Sequence, residues 1–152
     1  MLESILGRMA RPKNVELSAI TFIVRRGSGR KSCAIEVRND QSITDLDLAI
    51  RSGLSYDTWD HCSAFFAGKP WRSKCLVEIY PDGSAPGQLK PISSLPLMVG
   101  TILSYVYDFG DNLEHSATVE QIRPVEKLTH YPVVTSLNKG YRSPKKSGKK
   151  IC

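Results

Sequence analysis

The chain has 152 residues, 41% hydrophobic and 24% charged. That length suits one domain, and that composition argues against long disorder. The formal net charge of +6 is unevenly spread: residues 1–126 hold 14 Lys/Arg against 15 Asp/Glu, whereas residues 127–152 hold 7 Lys/Arg and no acid.

No apolar run reaches the length needed to span a bilayer as a helix, and Met1–Ala10 lacks a signal-peptide core. The expectation is therefore a cytoplasmic domain with no membrane partner. Residues 1–15 read as an N-terminal extension. Glu16–Arg26 then reads as a long strand of imperfect period two, with Leu17, Ala19, Phe22 and Val24 as its apolar positions. Gly27-Ser28-Gly29 is a flexible connection to a second strand, Ser32–Val37, which completes a hairpin.

A helix is expected over Thr44–Ser52. Ser42 or Thr44 can cap it, Asp45 stands in the capping-box position three residues after Ser42, and Leu46, Ala49 and Ile50 share a face. Gly53 stands where a left-handed cap is expected.

Trp59–Ala67 and Lys74–Tyr80 read as a second hairpin about the turn Gly68-Lys69-Pro70. The glycine- and proline-rich stretch from Gly83 to Pro96 reads as loop, with a short helical turn near Ser93–Leu97. Thr101–Tyr107 and Glu114–Ile122 bracket Gly110-Asp111-Asn112 as a third hairpin. Hairpins around one helix predict an α+β fold: an antiparallel or mixed sheet packed on that one principal helix.

Four cysteines, Cys33, Cys62, Cys75 and Cys152, show no CxxC pair and no zinc-finger spacing. The first three lie in strand-like segments and read as small buried hydrophobes; Cys152 reads as an exposed terminal thiol. From 133 onward the chain reads as a mobile basic tail. Lys139, Arg142, Lys145, Lys146, Lys149 and Lys150 are separated by glycine, serine and proline, which disfavour regular structure. Such a segment can neutralise phosphates without reading sequence, or simply solubilise the chain. No cofactor is implied.

The third hairpin holds the distinctive motif: Tyr105, Tyr107, Asp108, Phe109, Gly110, Asp111 and His115, with Glu120 in the following strand. Asp108-Phe109-Gly110 matches the magnesium-binding triplet of protein kinases, but the glycine-rich loop, strand lysine and catalytic loop of a kinase are absent. There is likewise no G-x-S-x-G elbow, P-loop or HExxH. A turn centred on Asp111-Asn112 would place Asp108 opposite His115; one centred on Gly110-Asp111 would place them diagonally. In the first register Ile102, Val106, Leu113, Ala117 and Val119 share an apolar face. Gly110 is expected to need a backbone that other residues avoid. Two readings of the Asp–His pair stay open. It pins the turn, or, with Asp111 and His61, it forms a metal or general-base site. His130 reads as a surface residue.

The longer pattern resembles the plasmid (Ri) open-reading-frame-three-like family, also described as insertion-element passenger (TnpR-type) proteins. Its hallmark is Tyr-x-Tyr-Asp-Phe-Gly-Asp-x-Trp-x-His followed by a hydrophobic strand with Glu. Tyr105, Tyr107, Asp108, Phe109, Gly110, Asp111, His115 and Glu120 match it, and Leu113 stands in place of the tryptophan. Asp60-His61 and Phe65 before Gly68, and Tyr131-Pro132, are similar to further landmarks, so the resemblance spans about Glu16 to Pro132. It implies an α+β fold of hairpins around a helix and carries no assigned catalytic activity; no serine-recombinase nucleophile motif accompanies the passenger label. The function expected is a non-enzymatic accessory or interaction module whose basic tail contacts nucleic acid. The alternatives are a protein-interaction domain without nucleic-acid binding, and a small metal-dependent enzyme using the Asp/His cluster.

Overall fold

A computed structural model describes residues 16–27 and 31–137. The N-terminal extension, the Ser28-Gly29 connection, Cys152 and the six basic residues from Lys139 to Lys150 lie outside the described residues. Among the described residues, seven strands form one sheet: β1 (Ser18–Arg26), β2 (Lys31–Arg38), β3 (Ser63–Phe66), β4 (Cys75–Ile79), β5 (Ile102–Tyr107), β6 (Leu113–Pro124) and β7 (Val133–Ser136). The order across it is β4-β3-β5-β6-β1-β2-β7, and every neighbouring pair is antiparallel. The three expected hairpins are β1–β2, β3–β4 and β5–β6, so a mixed sheet is not what forms.

The helix α1 (Ile43–Gly53) follows β2. Ser42 caps it: its Oγ accepts from the Asp45 amide and the Asp45 carboxylate accepts from the Ser42 amide, each at 3.0 Å. This reciprocal pair satisfies two amides that the first turn leaves without helical partners. Leu46, Ala49 and Ile50 are buried, as their spacing predicts, in one cluster with Phe22, Val24, Ile35, Val37, Tyr105 and Val119 from the strands. Gln88 fastens the glycine- and proline-rich loop beneath the helix start. Its Oε1 accepts from the amides of Tyr80 and Ala85, and its Nε2 donates to Thr44.

Gly53 is not the left-handed cap. It is the last helical residue, Leu54 is the C-cap, and the positive φ of 63° falls on Ser55. Gly53 serves packing instead: a Cβ there would stand 2.8 Å from Cys33 Sγ and 3.1 Å from Val134 Cγ1. The helix end approaches β2 and β7 too closely for any side chain.

Other boundaries also move. β3 begins at Ser63 rather than Trp59, because residues 57–60 are exposed and non-repetitive. The short helical turn is a 3-10 turn at Ile92–Ser94. The sheet continues past Pro132 into β7, which pairs with β2, so the segment expected as tail begins with a strand. Of the three cysteines among the described residues, Cys33 alone is buried as expected, and burial pushes it up to about 12; Cys62, just ahead of β3, is half-buried and Cys75 is exposed.

Candidate functional site

The third hairpin is built around a five-residue loop rather than a two-residue turn. Tyr107 pairs with Leu113, Val106 with Glu114 and Tyr105 with His115. Both expected registers pair an odd-numbered residue with an even-numbered one; the observed register pairs odd with odd and even with even. Because side chains alternate, that change moves residues to the opposite face. Leu103, Tyr105, Tyr107, Ala117 and Val119 enter the main core, with Leu113 packed against it, and His115, opposite Tyr105, is buried beside them. Val106 joins Ala64 and Phe66 on the other face, and Ile102 is exposed.

Asp108 organises the loop. Its amide donates to Cys62 O at 2.8 Å, and its Oδ1 accepts from the amides of Gly110 and Asp111 at 3.1 and 3.3 Å. The positive φ values fall on Asp108 (67°) and Asn112 (51°), not on Gly110. Both are residue types that tolerate this region better than most, and the Asx bonds of Asp108 repay part of its strain. Phe109 packs on the cluster of Ala64, Phe66 and Val106, where the Trp71 ring meets both Phe66 and Phe109 edge-on. Trp71 Nε1 donates to Asn112 Oδ1 at 2.6 Å. Glu120 lies at the bulge where the β1–β6 register shifts between Thr21 and Phe22, and it is exposed. His130 is on the surface.

Asp108 and His115 do not form the expected pair. Asp108 Oδ2 faces His61 Nδ1 at 3.5 Å, and His61 meets the Tyr107 ring edge-on. His115 is turned into the core. A carbonyl cannot donate, so His115 Nδ1 must donate to Tyr105 O at 3.0 Å, which leaves Nε2 to accept from Tyr56 Oη at 2.8 Å. Burial pushes His115 down to about 4, so the ring is neutral near pH 7. Among the described residues, no group of three or more His, Cys, Asp or Glu is arranged to hold a metal ion. Asp108, Asp111, His115 and His61 therefore do not converge as a metal-binding set.

What the two tyrosines reach is a buried ionic network. Asp47 and Arg51, one turn apart on α1, are each 2% exposed, and Arg51 Nε stands 3.0 Å from Asp47 Oδ2. That contact is ionic rather than an aligned hydrogen bond. Asp47 Oδ1 accepts from Tyr105 Oη and Ser63 Oγ, each at 2.6 Å. Burial, reinforced by the Asp47 charge, holds the Tyr105 phenol protonated, well above its usual range. Arg51 uses its remaining donors on the carbonyls of Asp60 (2.6 Å), His61 (2.9 Å) and Asp57 (3.4 Å), and on Ser63 Oγ (3.1 Å). Its guanidinium lies 5.0 Å from the centre of the Tyr107 ring, on which Tyr56 stacks at 4.3 Å. A buried charge pair is sustained only where its further donors and acceptors are met, and here they are met by the loop after the helix. The motif tyrosines thus tie β5 to α1 and to that loop. No sequence motif marks Asp47 or Arg51 as a functional residue. Their spacing, one turn apart on the helix, is the same whether such a pair faces water or the core.

The sequence profile of the plasmid pRiA4b ORF-3-like protein family matches residues 34–145. The chain belongs to this family. The ORF-3-like match opens within β2, contains α1, the network and the whole motif hairpin, and runs beyond β7. It thus starts and ends later than the resemblance read from the hairpin landmarks. No curated protein matches the chain. Among solved structures, it is similar to the crystal structure of a protein of unknown function, MM3350, from Methanosarcina mazei Go1. The two are 22% identical, the match covers 81% of this chain and 71% of that one, and the TM-score is 0.60. That likeness is one of fold. Within the ORF-3-like domain, no described helix is long and apolar enough to cross a membrane.

Proposed function

We propose that this ORF-3-like chain is a non-enzymatic accessory module: a sheet with one principal helix packed on it, acting by binding rather than by chemistry. The observation that carries the reading is where the motif spends its polar groups. Tyr105 and Asp47 bond to each other, Arg51 to three loop carbonyls, and His115 to a carbonyl and a phenol in the core. Groups so engaged hold the hairpin, the helix and the loop in register. Reactivity would require unmaking those bonds.

The basic segment supplies the partner class. Residues 139–150 carry six Lys/Arg and no acid, and cations on a glycine- and serine-rich stretch suit the phosphate backbone without demanding a base sequence. The test compares the full chain with one lacking residues 139–152, whose net charge falls from +6 to 0. The full chain is expected to bind generic duplex at low salt, with log affinity falling against log salt at a slope set by about 4–6 phosphate contacts, roughly −0.9 each. The shortened chain loses most of the affinity and most of the slope. Equal binding by both forms removes the nucleic-acid arm and leaves a protein-interaction domain.

A further inference from the structure

An edge strand presents a row of main-chain N–H and C=O groups to any strand that comes near. On β4 the direction of those groups follows from its neighbour. The Cys62 carbonyl accepts from the Asp108 amide, so Cys62 turns its main-chain groups toward β5. Those groups alternate along an antiparallel strand, so Ser63 and Phe65 bond to β4 at Ile79 and Val77, whereas Ala64 turns away from its β4 partner Glu78. The N–H and C=O of Glu78, and of Tyr80 just past the strand, therefore point out of the sheet along its edge.

At Tyr80 a side chain closes that edge. Gln88 is 1% exposed; its Oε1 accepts from the Tyr80 amide at 2.9 Å, and its Nε2 donates to Tyr80 O at 3.4 Å. Those are the two bonds that a residue of a neighbouring strand would make. The same carboxamide is pinned from behind, Oε1 by the Ala85 amide at 3.0 Å and Nε2 by Thr44 Oγ1 at 2.9 Å. Both acceptor positions and both donors of the amide are thus used. The Gln88 carbonyl in turn accepts from the amide and the hydroxyl of Thr44, each at 3.0 Å, which ties the loop to the start of α1. The far edge of the sheet is blunt for a different reason. The Leu137 amide donates to Ser32 O, so alternation turns Val134 and Ser136 outward, together with Pro132, which has no N–H to offer.

We propose that Gln88 is an edge guard: its carboxamide stands in for a neighbouring strand and keeps β4 from pairing with β4 of a second copy. A two-fold axis through Ile79 would set Glu78 of one copy opposite Tyr80 of the other. The outward groups would then exchange main-chain bonds in both directions, the two Glu78 carboxylates would not face each other, and the assembly would close at two chains. The guard is independent of the basic segment and of the nucleic-acid contact proposed for it.

The test follows the size of the full chain by light scattering as concentration rises, together with amide exchange at Tyr80 and Ala85. In Gln88→Ala both amides should exchange at least tenfold faster, and the chain should self-associate beyond the parent. Gln88→Glu keeps the shape and the accepted bonds but loses the donors. It should move both readouts the same way by less, and it answers the question if the alanine variant does not fold. Adding Glu78→Pro deletes the outward N–H at the next edge position and should return either Gln88 variant to the size of the parent. Adding Glu78→Gln, which removes only the charge, should not. Faster exchange without added association overturns the proposal. So does association that Glu78→Pro leaves in place, because the pairing would then not run along β4.

Discussion

His115 shows how one buried imidazole can couple stability to pH. Its folded value is about 4, against about 6.5 for an exposed histidine. Above pH 6.5 the ring is neutral in both states, and its contribution to stability is fully present. Between 6.5 and 4 the unfolded chain takes up a proton that the folded chain refuses, so stability falls as pH falls. Below about 4 the contribution is gone. The gap corresponds to about 3 kcal/mol at most. Urea denaturation of the parent and of His115→Gln should therefore diverge most at pH 7 and draw together toward pH 4. A constant difference across that range would contradict a neutral, buried ring. Many carboxylates also titrate in this window, which is why the difference between the two proteins is the quantity to follow.

At the scale of elements, two glycines separate sequence expectation from packing. Gly110 has no left-handed φ, and a Cβ there would meet only Asp108 Oδ1 at 3.4 Å, an ordinary contact. Gly110→Ala should change stability by less than about 1 kcal/mol. Gly53→Ala should lose about 1–3 kcal/mol from crowding Cys33 and Val134, despite the gain in helix propensity. Thermal melts of the two variants rank them directly, and the reverse ranking would refute the close approach of helix and sheet. The helix was legible because its signals are local: Ser42, Asp45 and the Leu46/Ile50 spacing act within two turns. The hairpin register was not, because it depends on loop length, and Asp108 and Asn112 adopt unusual backbone that composition leaves open. β7 was missed because its four residues adjoin a basic run that dominates the local composition. The Asp47–Arg51 pair was illegible for another reason: an i,i+4 ion pair looks the same in sequence whether water or Tyr105 faces it.

For the whole molecule, the decisive feature is the position of β1. The first strand lies between β2 and β6, with Phe22 and Val24 fully buried, while β4 and β7 form the two edges. Native-state hydrogen exchange should accordingly find the amides of β1 among the slowest, opening only with global unfolding. Those of β7, bonded on one side to β2, should open at lower free energy. Faster exchange in β1 than in β7 would mean that the sheet is not the cooperative unit its order implies.

That same placement governs how the protein is born. β1 and β2 leave the ribosome as a hairpin, but the other partner of β1, Leu113–Pro124, follows about a hundred residues later. Until then the hairpin carries an unzipped edge, with Phe22 and Val24 lacking their cover from Ala117 and Val119. The nascent chain thus passes through a prolonged stage in which a strand destined for the middle of the sheet is a template for another chain's backbone. Closing so distant a pair is also slow, since the loop entropy must be overcome before the contact rewards it. The strand that is most secure in the finished molecule is the one most in need of chaperone shelter during synthesis.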